Sequence, residues 1–237
     1  MREMLSDNEV DTTRLMGRAD ETGQAAILRT DLRSQIVARL RANIVSGEFN
    51  VSQVYSTAAI AKSIGVSITP VREAVLDIEH SGLIEIVRNR GFRVLSISDG
   101  DLDDICDLRK MLEAPAMAIV AKKATDSELS SLRPILDRMK AASERNLAEF
   151  LHLDHMFHIR LMELTGNTRL VRFVENLRDQ TRLYGIAALL SQGALIDTNQ
   201  EHDDILQALI KRDADVAVEL MRMHVNHTRG IWAGQRE

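Results

Sequence analysis

The segment Ser67–Val75, which reads Ser-Ile-Thr-Pro-Val-Arg-Glu-Ala-Val, restricts the possible folds of this chain more than any other stretch. Ser67 is a preferred residue for capping a helix N-terminus, and Pro70 is well tolerated only in a first helical turn. The pattern therefore predicts a helix from Ser67 to about His80, with Arg72 projecting near its start. A helix that presents a polar and cationic N-terminus is typical of proteins that insert it into the major groove of DNA.

Two short segments of alternating hydrophobicity follow this helix, at 83–87 and 92–97, and Asn89-Arg90-Gly91 lies between them. Alternation around such a turn sequence predicts a β-hairpin. Arginines on and beside its tip could reach the DNA backbone or the minor groove. The candidate DNA-contacting residues are therefore Ser67, Thr69, Arg72, Arg88, Arg90 and Arg93.

The preceding residues predict two more helices. The first covers 31–46, and a short second one ends at a tight turn around Gly65. The order helix, helix, turn, helix, hairpin predicts a winged helix-turn-helix domain over residues 29–97. Residues 1–28 lack sustained periodicity, and we expect them to form a mobile tail.

The formal net charge of −5 argues against nucleic-acid binding by the chain as a whole, but the charge is unevenly distributed. Residues 29–95 carry nine lysines and arginines and six acidic residues, so the segment with the presented helix is basic. The single cysteine, Cys106, excludes an internal disulfide and fits a reducing cytoplasm. No apolar run approaches the roughly 18 residues of a membrane span, so we expect a cytoplasmic protein.

The remaining residues, 98–237, predict an all-α domain, because prolines are few and no segment alternates like a strand. An acidic segment, Ser96–Asp104, is the predicted linker to the winged domain. The predicted fold class is therefore mainly α, with one small β-hairpin. Six helices are expected in the second domain, at roughly 101–124, 126–145, 147–165, 167–191, 195–212 and 214–233.

Several histidines of this second domain have the spacing of a metal site. Asp154 and His158 are four residues apart, so both side chains lie on one helix face. His202 and His224 lie among apolar residues on two later helices, which a bundle can bring to the same point. Three imidazoles and a carboxylate suit Zn²⁺, Ni²⁺, Mn²⁺ or Fe²⁺. Buried histidines that form hydrogen bonds within the core are the alternative interpretation.

Residues 30–97 resemble the DNA-binding domain of the GntR family of bacterial regulators. The resemblance rests on three motifs, Val66–Val75, Gly82-Leu83 and Asn89-Arg90-Gly91. The family usually has arginine where this chain has Ile68, and Pro-Gly where it has Val51-Ser52. Ala58 also stands where a basic contact residue is often found. The resemblance implies the winged fold and DNA binding, while the departures make the family's usual operator sequence an unsafe guide.

Residues of about 101–233 resemble the FCD effector domain of the FadR subfamily. The first helix of that domain usually carries Arg-x-x-Leu-Glu, which is Arg109–Glu113 here. Its metal-binding members use Asp-x-x-x-His and a histidine on each of two later helices. The resemblance therefore implies a divalent transition metal as cofactor, with the ligands Asp154, His158, His202 and His224.

The resemblance also implies a small organic acid as effector, and Arg109 is the candidate anchor. A guanidinium group can bind a carboxylate through two parallel hydrogen bonds. In the alternative interpretation, Arg109 forms a structural ion pair with Glu113, one helical turn away. Arg178, Arg182 and Tyr184 are further candidates, on the long helix expected to line the cavity, and a surface or core role would explain these three as well.

The expected function is that of a homodimeric transcription regulator, a repressor, which binds double-stranded operator DNA under the control of the organic acid. A regulator for which the metal itself is the signal is one alternative. A metal-dependent hydrolase is another. The hydrolase is disfavoured because the chain lacks His-Glu-x-x-His, Gly-x-Ser-x-Gly and phosphate-loop motifs, and because it would leave the basic winged domain unexplained, so we expect no enzyme.

Overall fold

The computed structural model describes residues 29–143, 146–189 and 195–232. The chain forms two compact units, an N-terminal unit that ends at Ser96 and a C-terminal unit that begins at Ile97. The N-terminal unit combines helices with a small antiparallel sheet, whereas the C-terminal unit is helical throughout its described part. The predicted fold class is confirmed. The predicted tail, 1–28, lies outside the described residues.

The N-terminal unit contains the expected helices and hairpin, with one strand that the sequence did not reveal. The sheet has the order β1-β3-β2, and β1 was missed because two residues are too few to show alternation. In β3, Phe92 lies opposite Tyr55 of β1, and Arg93 lies opposite Glu85 of β2. The elements are α1 (Arg29–Val45), β1 (Val54–Tyr55), α2 (Thr57–Ile64), α3 (Ile68–Glu79), β2 (Ile84–Val87) and β3 (Gly91–Val94).

Packing fixes which face of α3 is exposed. One side of the helix is buried against α1 and α2, through Val71, Val75 and Ile78. Ser67 occupies the N-cap position with extended backbone, but its side chain accepts no capping hydrogen bond in the part of the chain described. The opposite face of the first turns is exposed, with Thr69 and Arg72 on it. The buried face of α3 therefore fixes the position of the helix, and the opposite face of its first turns is accessible to a partner.

Gly91 is required where the hairpin meets β1. Its φ of 133° lies in a region that L-amino acids rarely adopt. A Cβ atom at this position would lie 1.9 Å from the backbone oxygen of Tyr55. Only glycine therefore allows β3 to approach β1 this closely.

The C-terminal unit consists of helices packed around an apolar core. Residues from α4 and α10, which pack along each other, contribute to this core together with α7, α8 and α9. No helix in the described ranges is long and apolar enough to cross a membrane. The elements are α4 (Asp99–Lys123), α5 (Asp126–Ser130), α6 (Arg133–Ala142), α7 (Leu147–Glu163), α8 (Thr168–Leu189), α9 (Leu195–Ile210) and α10 (Ala214–Trp232).

Two sequence predictions for this unit are wrong. The helix predicted over 126–145 is divided into α5 and α6, because Pro134 has no N–H group to donate and stands in the first turn of a new helix. The predicted linker Ser96–Asp104 is also too long. Ser98 forms a capping box with Asp101, so α4 already begins at Asp99. Acidic side chains in this first turn are favoured by the helix dipole.

Candidate metal centre and nucleic-acid interface

The four predicted metal ligands lie together inside the C-terminal unit. Asp154 and His158 come from α7, His202 from α9 and His224 from α10. One potential ligand atom from each lies within 4.8 Å of the others. His202 Nε2 is 3.1 Å from His158 Nε2 and 3.3 Å from Asp154 Oδ1. Because metal–ligand distances near 2.1 Å place neighbouring ligand atoms roughly 3–3.5 Å apart, this cluster could hold a metal ion.

The surroundings of His158 and His224 favour the neutral imidazole. All three histidine side chains are buried, and burial is the main reason that the pKa of His158 is well below its usual value. Burial, with the neighbouring His202, lowers the pKa of His224 to about 4. Neutral imidazole is the form that binds metals. His224 Nε2 is buried and has no hydrogen-bond partner among the described residues.

The second nitrogen of two of these rings faces a carboxylate. His158 Nδ1 is 3.3 Å from Glu113 Oε2, and His224 Nδ1 is 2.8 Å from Glu201 Oε2. A carboxylate hydrogen-bonded to the second nitrogen of a metal-binding histidine holds the ring and directs the other nitrogen to the metal. Glu201 contacts His224 in this way, whereas His158 Nδ1 has no hydrogen-bond partner among the residues described. The donor set and its surroundings therefore fit a transition metal.

A buried network of charged groups adjoins the cluster. Glu113 accepts hydrogen bonds from Arg109 Nε at 2.6 Å and from Arg178 Nη1 at 3.1 Å. Arg178 Nη2 also donates to Asp154 Oδ2 at 2.6 Å. Burial alone would raise the pKa of Glu113, but the two guanidinium groups outweigh it and hold that pKa well below its usual value. Arg178 has the same effect on the pKa of Asp154. Both carboxylates are therefore ionised beside two arginines.

The candidate effector residues have different placements. Arg109 forms the ion pair with Glu113 that the sequence offered as the alternative, and it is buried. Its Nη2 atom nevertheless has no hydrogen-bond partner in the described part of the chain. Arg178, a weaker candidate, contacts the metal cluster directly through Asp154. Arg182 and Tyr184 belong to α8, but their side chains lie outside the described residues.

Sequence reasoning missed the two glutamates as parts of the centre. Glu113 was considered only as a partner of Arg109, and Glu201 was given no role. The sequence does contain one indication of this role. His224 and His227 are three residues apart on α10 and share a helix face, so a single carboxylate from another helix can contact both. Glu201 contacts both.

The predicted DNA-contacting residues gather on two exposed parts of the N-terminal unit. Ser67, Thr69 and Arg72 are exposed at the start of α3, where backbone N–H groups of the first turn are also open to a phosphate. Arg88 and Arg90 are exposed at the tip of the hairpin. In contrast, Arg93 is partly buried, and its Nη1 atom lies 3.1 Å from Glu85 Oε1 across the sheet.

Comparisons with known proteins agree with this architecture. Residues 32–94 match the family described as bacterial regulatory proteins, gntR family, and residues 104–227 match the FCD domain. The HTH-type transcriptional repressor GlaR of Escherichia coli is 27% identical over 195 residues, covering 78% of this chain and 89% of that protein. The repressor RspR of E. coli is 29% identical over 198 residues, covering 82% and 86%.

A solved structure, E. coli McbR/YncC, shares the fold with a TM-score of 0.78 and 22% identity, covering 85% of this chain and 97% of that one. The predicted resemblance is confirmed by the two family matches, of which the FCD match alone extends over more than half of the chain. The chain therefore belongs to the GntR family of bacterial transcriptional regulators, in the group whose members carry an FCD domain.

Proposed function

We propose that this protein is a homodimeric repressor whose affinity for operator DNA is set by a small carboxylate bound at a metal ion in the C-terminal unit. The observation that carries the proposal is the convergence of Asp154 and three buried histidines on one point, beside arginines that balance carboxylates. The winged domain supplies the DNA-binding activity that its family implies.

On DNA, the start of α3 is the element that enters the major groove. Arg72 is suited to a guanine, whose N7 and O6 atoms accept the two hydrogen bonds of a guanidinium. Ser67 and Thr69 can donate hydroxyl hydrogen bonds to bases or phosphates nearby. Arg88 and Arg90 on the hairpin are placed to contact the backbone beside the groove. The residues on α3 would therefore take part in base recognition, and the two hairpin arginines would position the domain on the DNA backbone.

We assign the dimer contact to exposed apolar side chains on α4 and α8, which pack against each other. Leu108, Met111 and Ile119 recur along one face of α4, and Met111 is 69% exposed. On α8, Phe173 is 65% exposed. A set of large apolar side chains on neighbouring helices is characteristic of a surface that binds a protein partner. A second copy of the chain gives the two-fold symmetry that a palindromic operator needs.

The metal centre needs an anionic ligand. Arg109 and Arg178 balance the charges of Glu113 and Asp154, so a divalent ion would add uncompensated positive charge to a buried site. A small carboxylate supplies the opposite charge and can bind both the ion and an arginine. Arg109 Nη2 is the buried donor that suits a second carboxylate oxygen.

Ligand binding then controls DNA binding through a coupling free energy, and the same factor must apply in the reverse direction. Only residues 95–98 lie between the last strand of the N-terminal unit and the first helix of the C-terminal unit. Because this segment is short, a change in α4 is well placed to bias the winged domain.

The first experiment measures the metal content of untagged protein by elemental analysis. We compare wild type with His158→Ala and with His152→Ala, which removes an exposed histidine from the same helix. Wild type and His152→Ala should contain about one transition metal ion per chain, and His158→Ala should lose it. Absence of metal from reconstituted wild type would overturn the metal-centred part of the proposal.

The second experiment separates the two regulatory mechanisms. Operator affinity is measured with apoprotein, with metal alone, and with metal plus a panel of small mono- and dicarboxylates. A response to an acid only in the presence of metal supports the proposal. The burial of the metal cluster also favours a second candidate, a regulator that senses the metal itself. A full response to metal alone would establish that candidate instead.

A further inference from the structure

We infer that Glu201 is a positioning residue of the metal centre, which fixes His224 in the tautomer that can bind the ion and is itself held by His227. The inference rests on the proposed metal site and adds two residues to it. Glu201 Oε2 lies 2.8 Å from His224 Nδ1, and Glu201 Oε1 lies 2.6 Å from His227 Nδ1. Both carboxylate oxygens are therefore engaged by histidines.

The chemistry of the pair determines where the proton of His224 lies. An ionised carboxylate only accepts hydrogen bonds, so His224 must carry its proton on Nδ1. The lone pair of the neutral ring then lies on Nε2, the buried atom without a hydrogen-bond partner in the described ranges. Glu201 thus selects the nitrogen with which His224 can bind a metal.

Adjacent residues of α9 serve two different histidine positions. Successive side chains on a helix project about 100° apart, since a turn contains 3.6 residues. His202 therefore points into the cluster, while the preceding Glu201 reaches the back of His224 on α10. His224 and His227 are three residues apart on one face of α10, so one carboxylate can contact both. In the adjacent pair of α9, His202 is a candidate ligand and Glu201 supports another candidate ligand, His224.

The other two histidines lack an equivalent support. Glu113, which faces His158, is also engaged by two arginines, and its distance of 3.3 Å to the ring is longer. His202 Nδ1 is buried with no hydrogen-bond partner among the residues described. His224 is therefore the ligand with the most specific positioning, and its orientation should be the most sensitive to a single substitution outside the four ligands.

His227 makes this support rigid. It is partly exposed and does not belong to the cluster of four, yet its hydrogen bond prevents the Glu201 carboxylate from rotating away from His224. Removing His227 leaves Glu201 able to contact His224 in other orientations. We therefore expect a smaller effect from His227→Ala than from Glu201→Gln.

The test uses Glu201→Gln, which keeps the shape but removes the charge, and Glu219→Gln as control. Glu219 is an exposed residue of α10 that pairs with Arg222. In metal-free, ¹⁵N-labelled protein, correlations between ring nitrogens and ring protons report the tautomer of each histidine. His224 should carry its proton on Nδ1 in wild type and in Glu219→Gln, and should become a mixture or change tautomer in Glu201→Gln.

The second readout is the affinity for Zn²⁺, measured by competition with a chromophoric chelator. Loss of such a supporting carboxylate typically weakens metal binding by about 10–100-fold. We expect that loss for Glu201→Gln, a loss of a few-fold for His227→Ala and no change for Glu219→Gln.

The outcomes distinguish this inference from the proposed function. Wild-type protein that fails to bind Zn²⁺ would overturn the proposed metal centre, and the inference with it. Tight wild-type binding that Glu201→Gln leaves unchanged would overturn only the inference. A His224 ring protonated on Nε2 in wild type would have the same consequence, because Glu201 would then not select the tautomer.

Discussion

The two candidate sites of this protein are built in opposite ways. The predicted DNA-contacting residues fall between Ser67 and Arg93, and most of them are exposed on one helix start and one hairpin tip. The candidate metal centre draws on residues from Glu113 to His224, which come from four helices and are mostly buried. The candidate site of the N-terminal unit is built from a short stretch of sequence, whereas that of the C-terminal unit depends on how the whole bundle packs.

This difference has an energetic consequence. An exposed arginine remains solvated when it is not bound to DNA, so replacing it should leave the fold intact. A buried charged residue that loses its partner remains uncompensated in a medium of low polarity, which is costly. We therefore expect function and stability to be separable in the N-terminal site and linked in the C-terminal one.

The largest effect is expected for Glu113→Ala. The substitution leaves Arg109 and Arg178 buried without the carboxylate that pairs with both, and breaking a buried pair in this way typically costs about 3–5 kcal/mol. The measurement is urea unfolding of the full chain, followed by far-ultraviolet circular dichroism. This signal reports the loss of helix, which makes up the described part of the C-terminal unit.

Glu149→Ala is the matched control, because Glu149 pairs with Arg138 at the surface. Exposed pairs contribute roughly 0–1 kcal/mol, so the midpoint should hardly move. If Glu113→Ala were no more destabilising than Glu149→Ala, the link between burial and stability proposed for this site would be wrong.

Gly91→Ala should give the next largest effect. It is an exception to the contrast between the two units, because this substitution in the N-terminal unit should destabilise the fold. The added Cβ atom collides with the backbone of Tyr55, at a φ that alanine adopts only under strain. We expect a loss of about 2–3 kcal/mol in the N-terminal unit, in line with strain and overpacking at other sites. Hydrogen exchange of the β1 and β3 amides measures it.

Gly100→Ala provides the control for this substitution. Gly100 lies in the first turn of α4, where an added Cβ would meet nothing closer than 3.9 Å. Alanine there should leave stability unchanged or raise it slightly, because alanine favours helix. Protection of β1 and β3 equal to wild type in Gly91→Ala would show that the hairpin can move away from β1.

Arg72→Ala tests whether the exposed site is separable from the fold. Loss of a guanidinium that reads a base typically weakens binding by about 1–3 kcal/mol, which is roughly 5–150-fold. The free energy of unfolding should change by no more than about 0.5 kcal/mol. Both quantities are measurable on the same preparation, the first by fluorescence anisotropy with operator DNA.

Arg93→Ala sharpens this result. Arg93 is already paired with Glu85 across the sheet, so it is less available to DNA than Arg72. Its loss should weaken DNA binding less than the loss of Arg72. An equal loss would mean that the ion pair opens when DNA binds.

The same contrast explains which features could be predicted from sequence. Helix α3 and the hairpin depend on local signals, such as Pro70 and Gly91, so the pattern located them closely. The four candidate metal ligands were predicted through their spacing and the family resemblance, and the structure brings them together. The roles of Glu113 and Glu201 were not, because each depends on contacts between helices that are distant in the sequence. Pro134 also interrupts a segment whose apolar pattern looks continuous.

The smallest effects are expected when a serine at a helix start is replaced by alanine, and each unit offers one such serine. Ser98 accepts a hydrogen bond from Asp101 N and closes a capping box, so Ser98→Ala should cost about 0.5–2 kcal/mol of stability. Ser67 makes no such bond in the residues described, so Ser67→Ala should cost only a few tenths of a kcal/mol. Because the Ser67 hydroxyl is free for DNA, its loss should still weaken operator binding by several-fold. Thermal unfolding and anisotropy titrations of both variants measure the two effects, and a stability loss in Ser67→Ala equal to that in Ser98→Ala would mean that Ser67 caps its helix in solution.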